Sequence, residues 1–347
     1  MAYIEQEIMF QHEALKQTYS WFAANQAAVR DFMPEAGGGP LLFMGCGSSF
    51  MLAGAGAALF AMRTGLKTQA IAGGDYLINP EAYRKLLQDA LVVVITRSGK
   101  TTEIDLAVDE IRRSSNARIL CLHSCSGSAI PAKSDFEIPL DWAFDASVCQ
   151  TRNITNFYFA LVALYALQAD DPVLFGQLRQ VAEDNESFKL KYRQSLAAIG
   201  AGNWRQAVVL ADAELSSLAS EGALAFNEIC IKPGVSYPLL DYRHGPMVLA
   251  DAATLAIVAV RREALDYQLD LIRDLKQRGA RIICLSSLGD IPGADLTVQI
   301  PDYPDFAVWG VPLINIAQIV ALHKAFADNH DPDHPEGLDP YIVLDQH

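Results

Sequence analysis

The stretch Leu91–Asp105, LVVVITRSGKTTEID, decides how the rest of the chain is read. Leu91 to Ile95 form an unbroken apolar run, the mark of a strand buried on both faces. Hydroxyl and glycine positions follow at once: Thr96, Ser98, Gly99, Thr101 and Thr102. Ile104, Ala107, Val108 and Ile111 then recur at helical spacing. A strand that runs through hydroxyls into a helix N-terminus presents free backbone N–H groups and the positive end of the helix dipole, a setting that favours an anion. Gly99 allows close backbone approach, and Ser and Thr donate to phosphate oxygens without adding charge. The same residues also suit an ordinary capped strand–helix turn, and the stretch alone fits both.

Working outward, strand and helix patterns alternate. Leu41–Met44 reads as a short buried strand, followed by Gly45-Cys46-Gly47-Ser48-Ser49 and a small-residue helix, MLAGAGAALFAM, that can pack close to a sheet. Thr68–Ala72, Arg118–Leu122 and Phe136–Leu140 read as further strands. This alternation predicts an α/β fold with a parallel sheet covered on both faces, flavodoxin-like or Rossmann-like. Upstream, residues 4–32 form a helical leader that Gly37-Gly38-Gly39-Pro40 ends. Downstream, Val148–Gln168 is expected to form one long apolar helix before the break at Asp170-Asp171-Pro172.

The second half repeats the first. Ala207–Ala211 matches Leu41–Met44, Leu255–Val260 matches Leu91–Thr96, Tyr267–Arg278 matches Glu103–Ser114, and Arg281–Leu285 matches Arg118–Leu122. The expected organisation is a leader over 1–38, a first unit over 39–170 and a second over 180–347 with a C-terminal tail. The copies part at one place: TRSGKT at Thr96–Thr101 becomes VRREAL at Val260–Leu265. Helix–sheet packing does not require that difference, so it favours a phosphate site in the first copy.

Composition narrows the function classes. The chain has 347 residues, 51% apolar and 20% charged, with a formal charge of −14. That balance argues against a nucleic acid or an anionic membrane as partner and leaves room for a small phosphorylated molecule in a local pocket. Cys46, Cys121, Cys125, Cys149, Cys230 and Cys284 form no CxxC pair and read as reduced thiols of a cytoplasmic protein. Cys121, His123 and Cys125 lack a fourth ligand for zinc. The N-terminus shows no signal-peptide pattern, and the apolar run Phe157–Leu167 is too short to cross a bilayer.

Three further clusters could carry chemistry. Gly45 and Gly47 suggest a dinucleotide fingerprint, with Asp75 as a ribose ligand, but Phe50 stands where the third glycine belongs, so NAD is not expected. Ser48 and Ser49 instead face the crevice that Ser98 shares. Gln150, Thr151 and Arg152, in SVCQTRNIT from Ser147, either serve a sugar phosphate or cap a helix. Glu221 and Glu228 lie seven residues apart on one helix face. Glu228 and His244, from Tyr242-Arg243-His244-Gly245-Pro246, can form an acid/base pair, although helix glutamates are commonly just solvated.

These motifs together resemble the tandem SIS (sugar isomerase) family: GCGSS at Gly45, TRSGKTTE at Thr96, SVCQTRNIT at Ser147, EGALAFNE at Glu221, RHGP at Arg243 and DPDHP at Asp331. The resemblance spans nearly the whole chain after the leader and is nearest to the isomerase half of glucosamine-6-phosphate synthase. It implies phosphate binding by Ser48, Ser49, Thr96, Ser98 and Thr101, and sugar contacts at Gly47, Gln150 and Thr151. It implies proton transfer by Glu228, ring opening by His244 from the neighbouring subunit of a homodimer, and an active-site role for Glu221. No cofactor or metal is implied. Two family lysines are missing, replaced by Ala225 and Pro340. The departure points away from an enzyme imine, and no glutaminase segment precedes the SIS unit in this sequence. The resemblance therefore implies a stand-alone glucosamine-6-phosphate deaminase or fructosamine-6-phosphate deglycase. An aldose–ketose sugar-phosphate isomerase and a non-enzymatic phosphosugar sensor are the alternatives.

Overall fold

The structure is a computed structural model that describes residues 2–34 and 38–344. Gly37, at the start of the expected Gly-Gly-Gly-Pro break, lies outside the described residues. Two helices lead, α1 (Tyr3–Ala24) and α2 (Gln26–Phe32). The first sheet unit then runs β1 (Leu41–Gly45), α3 (Ser48–Thr64), β2 (Thr68–Ala72), α4 (Gly73–Ile78), α5 (Pro80–Tyr83), β3 (Leu91–Thr96), α6 (Thr102–Ser114), β4 (Arg118–His123), β5 (Phe136–Pro139) and α7 (Arg152–Gln168). After α8 (Pro172–Gly200) come β6 (Gln206–Leu210), α9 (Ser216–Ile229), β7 (Gly234–Tyr237), β8 (Thr254–Ala259), α10 (Leu265–Gln277), β9 (Arg281–Ser286), β10 (Leu296–Gln299) and α11 (Gly310–Ala327).

Both sheets are five-stranded and parallel. The first has the order β2-β1-β3-β4-β5 and the second β10-β9-β8-β6-β7. Numbered within each unit, both read 2-1-3-4-5, the flavodoxin-like order. The expected α/β class and tandem repeat are therefore the observed architecture. Such an order reverses direction once, and the loops on either side of the reversal open a crevice at the carboxyl ends of the strands. In the first sheet that point lies between β1 and β3, and in the second between β6 and β8.

Burial explains why these segments are strands. Every residue of β1, β3 and β8 is buried, as a parallel strand covered on both faces requires. On one face of the first sheet Leu42, Met44, Val92 and Val94 pack against Ile104, Ala107, Val108 and Ile111 of α6. On the other, α3 comes so close that a Cβ at Gly56 would lie 2.7 Å from the Phe43 ring, which is why this helix is built of small residues. The second sheet repeats the scheme, Val208, Ala256 and Val258 facing Leu271, Ile272 and Leu275 of α10. The segment Phe306–Ala327, ending in α11, is the single described helix long and apolar enough to cross a membrane. Its buried fraction of 94% identifies it as a core helix.

Chain membership of the two compact units is interleaved. The first-sheet unit comprises residues 10–146, 150–183 and 339–344. The second-sheet unit takes 2–9, 147–149 and 184–338. Two expectations need correction. The helix expected from Val148 begins only at Arg152, because Asp145 Oδ2 accepts the N–H groups of Thr151 (2.8 Å) and Asn153 (3.0 Å) and so caps it there. The strand expected over Phe136–Leu140 stops at Pro139.

Candidate functional site

In the first-sheet unit the loops after β1 and β3 flank the reversal point. Gly47 is the N-cap of α3, at φ 54° and ψ −128°, a conformation that favours glycine. Ser48 and Ser49 occupy the first helical positions of α3 and are each 4% exposed. Gly45 is also obligatory, since a Cβ there would lie 2.5 Å from the Ser49 carbonyl. Thr96 ends β3, and Thr101 is the N-cap of α6. Ser48, Ser49, Thr96, Ser98 and Thr101 thus stand at the carboxyl ends of two adjacent strands and the N-termini of the helices that follow.

The β3–α6 loop is held by its own hydroxyls. Thr96 Oγ1 accepts the Gly99 N–H at 3.1 Å, and Ser98 Oγ accepts the Lys100 N–H at 3.2 Å. An oxygen that accepts from the loop backbone leaves its own hydrogen to donate outward. Thr101 makes no side-chain cap bond to α6. Gly99 sits at φ 60°, and a Cβ there would lie 1.9 Å from Ser128 Oγ and 2.7 Å from Cys125 Sγ. The loop is therefore packed against the segment that follows β4.

Two cations also belong to this loop, so its donors are not all neutral. Arg97 is 5% exposed and donates through Nη2 to the Pro340 carbonyl. The Thr102 N–H donates to the Ile342 carbonyl at 3.3 Å, and the Lys100 ammonium lies 5.8 Å from the Tyr341 ring centroid. The C-terminal tail thus runs along the loop, held by the Arg97 guanidinium at Pro340. Arg97 is in plain sight within TRSGKT, yet nothing in the motif shows that it grips the tail. Burial, and then the Glu103 carboxylate, push the Cys46 thiol up to about 11, so it remains a neutral neighbour.

The loop connects inward through buried polar groups. Asn153 Nδ2 donates to Ser124 Oγ at 2.8 Å, and Ser124 Oγ donates to the Arg97 carbonyl at 3.3 Å. Asn153 lies in the first turn of α7, two residues after its N-cap Thr151, itself fully buried. The Oε1 atom of Gln150 is buried without a hydrogen-bond partner among the described residues. His123, at the end of β4, has both ring nitrogens engaged: Nδ1 accepts from Cys125 N at 3.3 Å and Nε2 lies 3.2 Å from Glu137. Burial lowers its pKa, which the Glu137 charge only partly offsets.

The second-sheet unit shows what became of the matching loop. Gln268 Oε1 accepts the Arg261 N–H at 2.9 Å, while Nε2 donates to the carbonyls of Arg261 (3.1 Å) and Glu263 (2.6 Å). A side chain fills the place that the first unit leaves to its backbone and hydroxyls. The first-unit counterpart of Gln268 is Ile104, which faces the core. At the other side of this reversal point stands α9. Glu221, 3% exposed, and Glu228, half-buried, both belong to α9, two turns apart. Ala225 lies between them and is buried, so the helix carries no amine there. His244 stands exposed at the end of the Asp241–Arg243 turn, its N–H donating to the Asp241 carbonyl at 2.9 Å.

Comparison with known proteins agrees with this architecture. Residues 39–167 match the SIS domain family. The chain is 23% identical over 98% of its length to glutamine–fructose-6-phosphate aminotransferase (isomerizing) of Aeropyrum pernix, covering 57% of that protein. It is 24% identical to the enzyme of the same name from Sulfurisphaera tokodaii, over 74% of this chain and 42% of that one. The chain therefore spans about half the length of these curated relatives. Among solved structures, glucosamine-6-phosphate deaminase of Thermotoga maritima superposes with a TM-score of 0.80 at 23% identity, covering 99% of this chain and 100% of that one. Tagatose-6-phosphate ketose/aldose isomerase of Escherichia coli gives a TM-score of 0.85 at 22% identity, covering 99% and 96%.

Proposed function

We propose that this SIS-domain protein is an enzyme of 6-phosphorylated sugars that moves a proton between C1 and C2, with an amino sugar or a fructosamine as substrate. The observation that carries the reading is the contrast between the two loops. In the first, hydroxyl oxygens accept loop N–H groups and keep their own hydrogens to donate, beside a helix N-terminus whose N-cap Thr101 makes no side-chain cap bond, whereas the second is filled by Gln268. Ser48, Ser49, Thr96, Ser98 and Thr101 take the phosphate, with Gly47, Gln150 and Thr151 toward the sugar. Arg97 and Lys100 add positive charge near that end.

In this proposal His244 transfers the ring-opening proton, since imidazole exchanges protons near neutrality. Glu228 then takes the proton from one sugar carbon and returns it to the neighbouring one, through an enolamine when nitrogen is attached. Glu221 supports the same carboxylate face. For a 2-amino aldose the proton leaves C2 and arrives at C1, giving an imine at C2. Water adds there, the C–N bond breaks, and ammonia and the ketose phosphate are released. For a fructosamine the proton moves from C1 to C2, and the imine at C1 is hydrolysed to the aldose phosphate and the free amine. Neither route requires an enzyme amine, consistent with Ala225 and Pro340 at the positions of the absent lysines. Supply of His244 by a second copy of the chain makes the working form a homodimer in cytoplasm.

Simple aldose–ketose isomerisation uses the same proton transfer, and the likeness to the tagatose-6-phosphate isomerase fold keeps it as the second reading. One experiment addresses both. The chain is incubated in deuterium oxide with glucosamine 6-phosphate, a fructosamine 6-phosphate and tagatose 6-phosphate, following deuterium at C1 and C2, ammonia and free amine. Glu228→Gln should lower turnover by at least about a hundredfold while KM stays within about threefold. Wild-type rates in that variant remove Glu228 from the mechanism, and no exchange with any sugar removes the enzyme reading.

A further inference from the structure

We infer that Glu7 is a positioning residue for residues 147 to 149, the stretch that leads directly into Gln150. The inference rests on the reading above, in which Gln150 serves the sugar. Glu7 is 4% exposed and 140 positions from Ser147 in sequence. Its Oε1 accepts the Ser147 N–H at 3.2 Å and its Oε2 accepts the Ser147 hydroxyl. The hydroxyl also lies 2.9 Å from the Cys149 carbonyl. One carboxylate thus fixes both the backbone and the side chain of a residue that belongs to no helix or strand. Such charge-assisted bonds are stronger and more directional than neutral ones.

The support beneath Glu7 is equally specific. Asp333 accepts the N–H groups of Tyr3 (2.9 Å) and Ile4 (2.8 Å) on its carboxylate, and its own carbonyl takes the Val148 N–H at 3.2 Å. Lys189 Nζ donates to the Ile8 carbonyl at 3.0 Å, and Arg193 pairs with Glu5 at 2.9 Å. The opening turns of α1 are therefore gripped on either side of Glu7, and Ser147 and Val148 both hang from that assembly by their backbone N–H groups. This accounts for residues 147–149 and 2–9 sharing one compact unit. Gln150 follows directly in the chain and keeps a buried Oε1 with no hydrogen-bond partner among the described residues, an acceptor that, on the reading above, serves a donor of the sugar. Glu7 thereby fixes residues 147 to 149, the stretch that immediately precedes Gln150 in the chain.

The test uses the full chain and the sugar phosphate that gives the fastest deuterium exchange in wild type. Glu7→Ala should lower the maximal exchange rate at least tenfold with KM within threefold. Glu7→Gln should return to within threefold of wild type, because an amide can accept the Ser147 N–H and donate to its hydroxyl. Should Glu7→Ala not fold, Ser147→Ala removes the hydroxyl end of the same bond and should lower the rate at least threefold. An unchanged rate in Glu7→Ala or Ser147→Ala, with only thermal stability altered, overturns the positioning role and leaves the functional reading standing. Absence of exchange in wild type overturns the functional reading and this inference with it.

Discussion

Gly99→Ala probes the β3–α6 loop most directly. Gly99 has φ 60°, where an L-residue with a Cβ costs about 1–2 kcal/mol. The new methyl would also lie 1.9 Å from Ser128 Oγ and 2.7 Å from both Ser128 Cβ and Cys125 Sγ. Ser128 Oγ is held by a 3.2 Å bond to Cys125 Sγ, so the loop and its neighbour must separate to ordinary contact distance. Overpacking of this kind costs roughly 1–3 kcal/mol. The sum, about 2–5 kcal/mol, divides between lost stability and a displaced loop. Because about 1.4 kcal/mol is tenfold in affinity, sugar-phosphate binding by titration calorimetry should weaken at least about tenfold, with a lower urea midpoint. Adding Ser128→Gly removes two of the three close contacts and leaves the backbone strain. The double variant should therefore recover roughly 1–2 kcal/mol, seen as non-additivity in a mutant cycle. If Gly99→Ala matches wild type in both stability and affinity, the loop is not held as described.

Three other outcomes are expected. Ser98→Ala should weaken sugar-phosphate binding about tenfold or more, the scale of a hydrogen bond to a charged group, while kcat changes little; unchanged affinity counts against the loop. Gln268→Leu leaves the Arg261 N–H and the Arg261 and Glu263 carbonyls without that partner. It should cost about 1–3 kcal/mol of stability without changing phosphate affinity, and a gain or loss of affinity would place the anion in the wrong unit. Lys189 is fully buried, and desolvation pushes its pKa down to about 7. The unfolded chain then holds more protons than the folded one between pH 7 and about 10.5, so this residue makes stability rise with pH across that window; below pH 7 the cost of the buried charge is fully present. Lys189→Met should remove up to about 3 kcal/mol of the gain between pH 7 and pH 9.5, read as the difference from wild type in urea unfolding. Identical slopes in the two proteins would refute the assignment.

How much could be read in advance depended on the range of the interaction. Leu91–Ile95, Leu255–Val260 and their matched neighbours announced a repeated parallel sheet, because burial on both faces leaves a continuous apolar run. Of the four-residue, partly exposed strands, Phe136–Pro139 was announced and Gly234–Tyr237 and Leu296–Gln299 were not, since so short a strand with at most one buried residue leaves no continuous apolar run. Nor was the 29-residue α8 read, whose polar and apolar residues are mixed. The difference between TRSGKT and VRREAL marked where the two units diverge, but that Gln268 closes the second loop is visible only once α10 is folded against it.

The sequence by itself determined the class of fold, the repeat, and the loops that must gather at the strand ends. These follow from local periodicity and from the order that parallel strands adopt. Tertiary structure alone decided that α7 starts at Arg152, that Arg97 meets the tail, and that Glu7 reaches Ser147. Each of those rests on single polar atoms meeting a partner, and for Arg97 and Glu7 that partner lies more than a hundred positions away. Such contacts arise from the directionality of hydrogen bonds in a closed core, and they leave no period in the chain to read.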